Sequence, residues 1–157
     1  MPSLFVSHLQ QRQHSDCLAA CAAMVLDYLQ VLVKYPHLLS LLRVKAYGTS
    51  FSSLQNLEAL DLSVHIDEGD IQQLRQYLDD GLPSIVFVDT GQLTSYWQEQ
   101  TSHAVVIVGI EDDQIYLNDP ELDSGPQSVP TDEFLLAWGE KDYLYAVVGL
   151  ARLRSVP

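Results

Sequence analysis

The chain has 157 residues, 47% hydrophobic and 18% charged, a balance that fits one folded domain with a proper core and excludes a disordered segment. Its formal charge of −13, from 21 acidic and 8 basic side chains, argues against nucleic acid or an anionic membrane as partner, since both need clustered Lys and Arg. Two cysteines four residues apart argue against a disulfide framework.

The first residues, 1–16, read as an extended lead-in, polar from Gln10 to Asp16. They lack the basic start and apolar run of a signal peptide, and no stretch approaches the ~18 apolar residues of a membrane span. A cytoplasmic protein without an integral membrane segment is expected. From Cys17 to Leu32 the composition is rich in Ala, Leu and Met and free of Gly and Pro, so a helix is expected that runs through the core. Ser15 and Asp16 are its candidate N-caps. Tyr35-Pro36 interrupts the pattern, a second helix is expected over 37–47, and Gly48 reads as its C-cap. Thr49 or Ser50 would cap a third, short helix carrying Leu54, Leu57 and Leu60.

From residue 62 the texture changes. Alternation over 62–66 predicts a strand. Asp70-Ile71-Gln72-Gln73 reads as a capping box opening a helix that Gly81 and Pro83 stop. Strands are expected over 84–88, 104–110 and 114–118, the last two joined by a turn at Glu111-Asp112-Asp113. A loop from Pro120 to Pro130, a helix from Thr131 to Trp138 and a strand over 143–150 complete the chain. Helices first and strands later read as α+β: one domain over 1–157, with a helical lobe at about 12–61 and an antiparallel-sheet lobe at about 62–152.

Chemistry concentrates around Cys17. A thiol in a first helical turn meets unpaired backbone N–H groups and the positive end of the helix dipole. His103 precedes the best strand, and Asp119 ends the strand paired with it. Cross-strand neighbours lie ~5 Å apart, so the carboxylate can hold the imidazole. With the thiol facing them, the three form a Cys-His-Asp arrangement for nucleophilic catalysis. Gln11 would add an oxyanion donor beside the Cys17 backbone N–H, with Gln10 and Gln13 as near alternatives. Asn118 would replace Asp119 if the register slipped by one.

The remaining reactive side chains read more plainly. Cys21, one turn along from Cys17, reads as a core thiol. A zinc site from Cys17, Cys21 and His103 lacks the usual ligand loops, so no metal or cofactor is expected. His8, His14, His37 and His65 have no evident partner, and Tyr96, Trp97 and Trp138 read as cleft liners or as core and loop anchors. The acidic run from Glu111 to Asp142 reads as a solvated face, with cationic peptides as a conceivable preference.

These residues resemble the papain-like cysteine peptidases, and within them the bacteriocin-processing branch, cysteine-peptidase family thirty-nine. The likeness is carried by Gln11, Asp16-Cys17, Ala20-Cys21-Ala22-Ala23-Met24, Gly48-Thr49-Ser50, His103-Ala104-Val105-Val106 and Asn118-Asp119-Pro120, over residues 5–150. That family has a Gln six positions before its nucleophile and an Asp-Pro pair about sixteen residues after its His, as here. The resemblance implies a papain-like fold, the nucleophile helix packed on the sheet, and cleavage of leader peptides after a double glycine. One departure is Leu18, where the family has Gly. The absence of a following membrane domain or ATPase reads as a free-standing member.

The expected function is therefore a thiol hydrolase acting on a peptide or isopeptide bond of a peptide or protein substrate. Cys17 is its nucleophile, His103 its base, Asp119 the orienting group and Gln11 the oxyanion donor. A catalytically silent peptide-binding module and a thiol acyltransferase on the same scaffold are the alternatives. Oligomeric state is not legible in the sequence.

Overall fold

The computed structural model describes residues 3–46 and 48–151. The termini of the expected domain, residues 1, 2 and 152–157, and the expected end of the second helix at Tyr47 lie outside the described residues.

Helix α1 (Cys17–Tyr28) buries Leu18 to Ala22 without a break, then Met24, Val25 and Leu26. Apolar residues on nearly every face make it a core helix, as its composition requires. It ends about a turn before Leu32. Gln30 adopts the left-handed conformation (φ 63°), and the Val31 N–H bonds back to the Leu26 carbonyl at 2.9 Å. This closure is usually made by glycine, so composition alone did not mark it. Asp16 occupies the N-cap position, but its side chain makes no cap; it accepts a bond from the Tyr35 hydroxyl at 3.2 Å.

Helix α2 (Tyr35–Leu41) is shorter than expected and starts earlier. Pro36 lies in its first turn, where a missing N–H costs nothing, so the residue that seemed to interrupt a helix opens one. Arg43 (φ 56°) ends it, and Gly48 (φ 117°) instead closes a tight turn onto Lys45. The third helix, Phe51–Leu60, is a 3-10 helix. Its apolar residues Phe51, Leu54, Leu57 and Leu60 recur every third position, the period that stacks side chains on one face of a three-residue turn.

Six antiparallel strands form one sheet in the order β1 (Leu62–Glu68), β6 (Leu144–Leu150), β2 (Ser84–Asp89), β3 (Ser102–Ile110), β4 (Gln114–Asn118), β5 (Gln127–Pro130). Strand β5 lies in the expected loop. All four of its residues pair with β4, but apart from Val129 they are polar or Pro, so it carries little strand signal. Successive residues of β3 point to opposite faces, and both faces are covered. Ala104, Val106 and Val108 pack with α1, α2 and the 3-10 helix. Val105 and Ile107 pack with α3 (Ile71–Asp79) and α4 (Thr131–Gly139). The capping box at α3 forms as expected, with Asp70 and Gln73 exchanging bonds of 2.9 and 3.2 Å.

A β-bulge separates the pairs Ile107↔Leu117 and Gly109↔Tyr116, leaving Val108 without a partner on β4. The Val108 carbonyl instead accepts the Leu4 N–H at 2.8 Å, which draws the N-terminal segment along the sheet toward Cys17.

Trp138, fully buried against Phe134 and Tyr143, donates to the Leu144 carbonyl at 2.8 Å and so fixes α4 to the start of β6. Trp138→Ala is expected to lower stability by about 3–5 kcal/mol, read from the midpoint of urea unfolding.

Candidate active site

His103 is the second residue of β3, and Asp119 directly follows β4. Val106 pairs with Asn118, so continuing the register sets Asp119 across from Val105, one same-face step from His103. His103 Nε2 and Asp119 Oδ1 are 2.6 Å apart, with both side chains buried. Asn118 turns the other way and donates to the Val6 carbonyl at 2.9 Å, so the imidazole's partner is Asp119.

Asp119 is fully buried, and each of its oxygens takes two donors. Oδ1 faces His103 Nε2 and the Glu121 backbone N–H (2.9 Å). Oδ2 faces the Tyr96 hydroxyl (2.7 Å) and the Trp97 indole N–H (2.8 Å). Burial alone would raise the pKa of this carboxyl. The hydrogen bonds from His103, Tyr96 and the Glu121 N–H, with the imidazolium charge, outweigh it and hold the group below its usual range.

Cys17, at the start of α1, is half-buried and lies close enough to His103 to raise the pKa of its ring. Burial of the ring favours the neutral form. The bond to Asp119 and the nearby Cys17 thiol, together with their charges, overcome it and push the His103 pKa up to about 9. The imidazole thus lies between a thiol and a carboxylate, with Nε2 committed to the carboxylate. Trp97 covers it edge-on, ring centroids 4.9 Å apart.

Gln11 lies near this group but points elsewhere. Its side-chain Nε2 donates to the carbonyls of Gln13 (3.0 Å) and His14 (3.2 Å), while Oε1 is buried without a partner. Its backbone N–H bonds the Pro120 carbonyl at 2.7 Å, which fastens the loop before Cys17 to the residue after Asp119.

A cleft of about 390 Å³ opens at Cys17. Leu18, Phe51, Phe87 and Ala104 form apolar walls, and Ser15, Thr49, Thr101 and Ser102 add hydroxyl groups. Among the described residues no Asp, Glu, Lys or Arg lines it. Cys21 is fully buried, and desolvation, then the charges of Cys17 and Asp119, push its thiol pKa well up. Among the described residues no cluster of three His, Cys, Asp or Glu side chains converges to hold a metal. His8 is partnered after all: its Nε2 lies 2.7 Å from the Leu122 carbonyl. Tyr96 and Trp97 escaped the sequence reading as partners of Asp119, because nothing in a loop's composition says which carboxylate its aromatic N–H and O–H groups will meet.

Two outcomes follow from this arrangement. The His103 ring should remain protonated through neutral pH and titrate near pH 9 by NMR. Cys17→Ala, which removes a contact that raises the pKa, should move that midpoint down. Iodoacetamide at neutral pH should label Cys17 and leave Cys21 unmodified in the folded protein, as read by peptide mapping.

Comparison with known proteins agrees with this architecture. The model of the Peptidase C39 family matches residues 6–145. No curated protein sequence matches the chain. Among solved structures, a C39-like peptidase from Bacillus anthracis aligns with a TM-score of 0.77 at 17% identity, covering 94% of this chain and 98% of that one. The peptidase domain of Streptococcus ComA, a bifunctional ABC transporter of a quorum-sensing pathway, aligns at 0.75 and 19%, covering 92% and 98%. A double-glycine-motif protease from an AMS/PCAT transporter, solved with its leader peptide, aligns at 0.75 and 20%, covering 94% of each chain. At these identities the likeness is one of fold, and it matches the expected papain-like α+β architecture. The chain belongs to the Peptidase C39 family.

Proposed function

We propose that the protein is a cysteine peptidase that cleaves a peptide bond of a peptide or protein substrate, with leader-peptide processing as its best-supported task. The supporting observation is His103 bonded at 2.6 Å to a buried, fully hydrogen-bonded Asp119, with Cys17 close enough to act on the same ring. In this reading the parts of the chain near 12–61 and 62–152 act as the walls of a single domain.

The Cys17 sulfur, its proton passed to His103, adds to the scissile carbonyl carbon, and the C=O π pair moves onto oxygen. As the tetrahedral species collapses, the C–N bond breaks and the His103 imidazolium protonates the leaving amine. A thioester on Cys17 remains. Water, giving its proton to His103, adds to the thioester carbonyl, and the thiol leaves with the acid product. Asp119 fixes the ring so that the nitrogen not bonded to the carboxylate does this work. The oxyanion is assigned to the Cys17 backbone N–H and to Gln11, whose longer bond, to the His14 carbonyl, is the one that yields as Nε2 turns to the substrate.

The cleft favours an uncharged, extended peptide stretch over a cationic one, since no carboxylate lines it. Leu18 is buried in its wall directly after the nucleophile and leaves less room than a glycine would.

Digestion of a peptide library tests the assignment. Wild type is expected to give discrete products, and Cys17→Ala or His103→Ala to reduce their rate of formation by at least ~10⁴-fold. Gln11→Ala should cost ~10²-fold in kcat. Equal product from wild type and Cys17→Ala would remove the assigned nucleophile. Labelling of Cys17 without any cleavage would favour the silent binding module, and diversion of product by an added amine would identify an acyltransferase.

A further inference from the structure

We infer that Tyr96 and Trp97 are positioning residues of this site: their hydroxyl and indole N–H hold Asp119 Oδ2, so that Oδ1 stays aimed at His103. The inference rests on the thiol-peptidase reading above and adds to it a second layer supplied by the loop between β2 and β3.

Geometry is the first support. A carboxylate free to turn about its last torsion presents either oxygen to a neighbour. Here one oxygen receives two donors, at 2.7 and 2.8 Å, from adjacent residues of one loop. Rotating the carboxylate by half a turn would exchange Oδ1 and Oδ2 and change nothing, but a rotation partway, toward a quarter turn, breaks both bonds. The angle of the carboxylate, and with it the plane in which His103 is held, is therefore set by the loop. Trp97 acts twice, since the edge contact between its ring and His103 also limits tilting of the imidazole.

The loop is itself anchored at several points. Asp89 accepts from the Gly91 N–H and from Gln100 Nε2, and the Thr90 hydroxyl bonds the Glu99 carbonyl, which closes the loop's base. At its far side, Ser95 donates its N–H and its hydroxyl to Glu133 of α4. Tyr96 and Trp97 thus arrive at Asp119 from a fixed frame.

Electrostatics agree with the geometry. The groups acting on Asp119 are His103 from β3, Tyr96 and Trp97 from the loop, the Glu121 N–H, and the Cys21 thiol from α1, with Glu133 of α4 acting on Tyr96 from behind. Burial first, then the charge and bond of Asp119, raise the pKa of Tyr96, so this hydroxyl remains a donor. Its bond lowers the pKa of Asp119. Removing it raises that pKa, so protonation of Asp119 then begins at a higher pH.

The test is the pH dependence of iodoacetamide alkylation at Cys17, with kcat/KM for a cleaved library peptide, in wild type, Tyr96→Phe, Trp97→Phe and Ser95→Ala. Tyr96→Phe keeps the ring and removes only the donor, so it decides the matter even if Trp97→Phe does not fold. The acid limb of both profiles should move to higher pH in Tyr96→Phe and in Trp97→Phe, with kcat/KM down about tenfold through kcat and KM unchanged. Ser95→Ala removes only the hydroxyl bond to Glu133, keeps the Ser95 N–H bond and the bonds at the loop's base, and should leave the acid limb in place. Superimposable limbs for wild type and Tyr96→Phe, or an equal displacement in Ser95→Ala, would overturn the positioning role while leaving the peptidase reading intact. A wild-type Cys17 that labels no faster than Cys21 would instead sink the peptidase reading and this inference with it.

Discussion

The hydrogen bond between His103 and Asp119 is the constraint around which the molecule is arranged. Both side chains are buried, and a buried ion pair is stable only when the remaining lone pairs and protons are satisfied. An uncompensated carboxylate at this depth would cost several kcal/mol, ~3–5 on removal of its partner, and would take up a proton instead. The structure meets the condition with four donors on Asp119, drawn from β3, from the loop before β3 and from the chain after β4. The sheet contributes the pair's spacing, and the loop contributes the donors that keep its charge in place.

The N-terminal segment ties the thiol to the same point. The bulge in β3 frees the Val108 carbonyl, which receives Leu4, and Gly109 beside it has no side chain to collide with Ser3, whose hydroxyl lies 2.5 Å from where a Cβ would stand. Farther along, Val6 accepts from Asn118, His8 Nε2 meets the Leu122 carbonyl, and the Gln11 N–H reaches Pro120. Residues 118, 120 and 122 flank Asp119 closely. The chain leading into Cys17 is therefore fastened to the chain around Asp119, and the relative placement of sulfur and carboxylate does not rely on helix packing alone. In this light a bulge that looks like a defect in the best strand is part of the site's construction.

Local rules made much of this legible in the sequence. The capping box at Asp70, the apolar run of β3, and the turn at residues 111–113 each carry their instruction within a few residues, and the pairing of His103 with Asp119 follows from the hairpin. Four kinds of feature did not. Helix ends closed by Gln30 and Arg43 in left-handed conformations carry no glycine to mark them. Strand β5 is stabilised by its neighbour and not by its own composition. The insertion of β6 between β1 and β2 depends on contacts between residues some eighty positions apart, such as Val64 and Val148. The donors Tyr96 and Trp97 are ordinary loop aromatics until the fold brings Asp119 to them. Periodicity reports on the nearest core, whereas these outcomes were decided by distant neighbours.

The acidity of the chain takes on a different meaning once the site is placed. A charge of −13 invites the thought of a cationic substrate, yet among the described residues no carboxylate lines the cleft at Cys17. Two acids near the thiol, Asp16 and Asp119, are buried and bonded internally, the first to Tyr35 and the second to the donors around it. The exposed remainder acts on anything in the cleft only through solvent, where fields between exposed charges fade beyond about 8–10 Å at physiological salt. Lys141 lies over the face of Phe87, one of the cleft's walls, 5.4 Å from its ring centroid, with a sign opposite to the bulk charge. Selection within the cleft then falls to shape and hydrogen bonding: the Leu18 side chain, the Phe51 and Phe87 rings, and the hydroxyl of Thr49, which is buried without a partner. A side chain that brings its own charge would meet no opposite charge among the described lining residues, while a small or apolar one needs none.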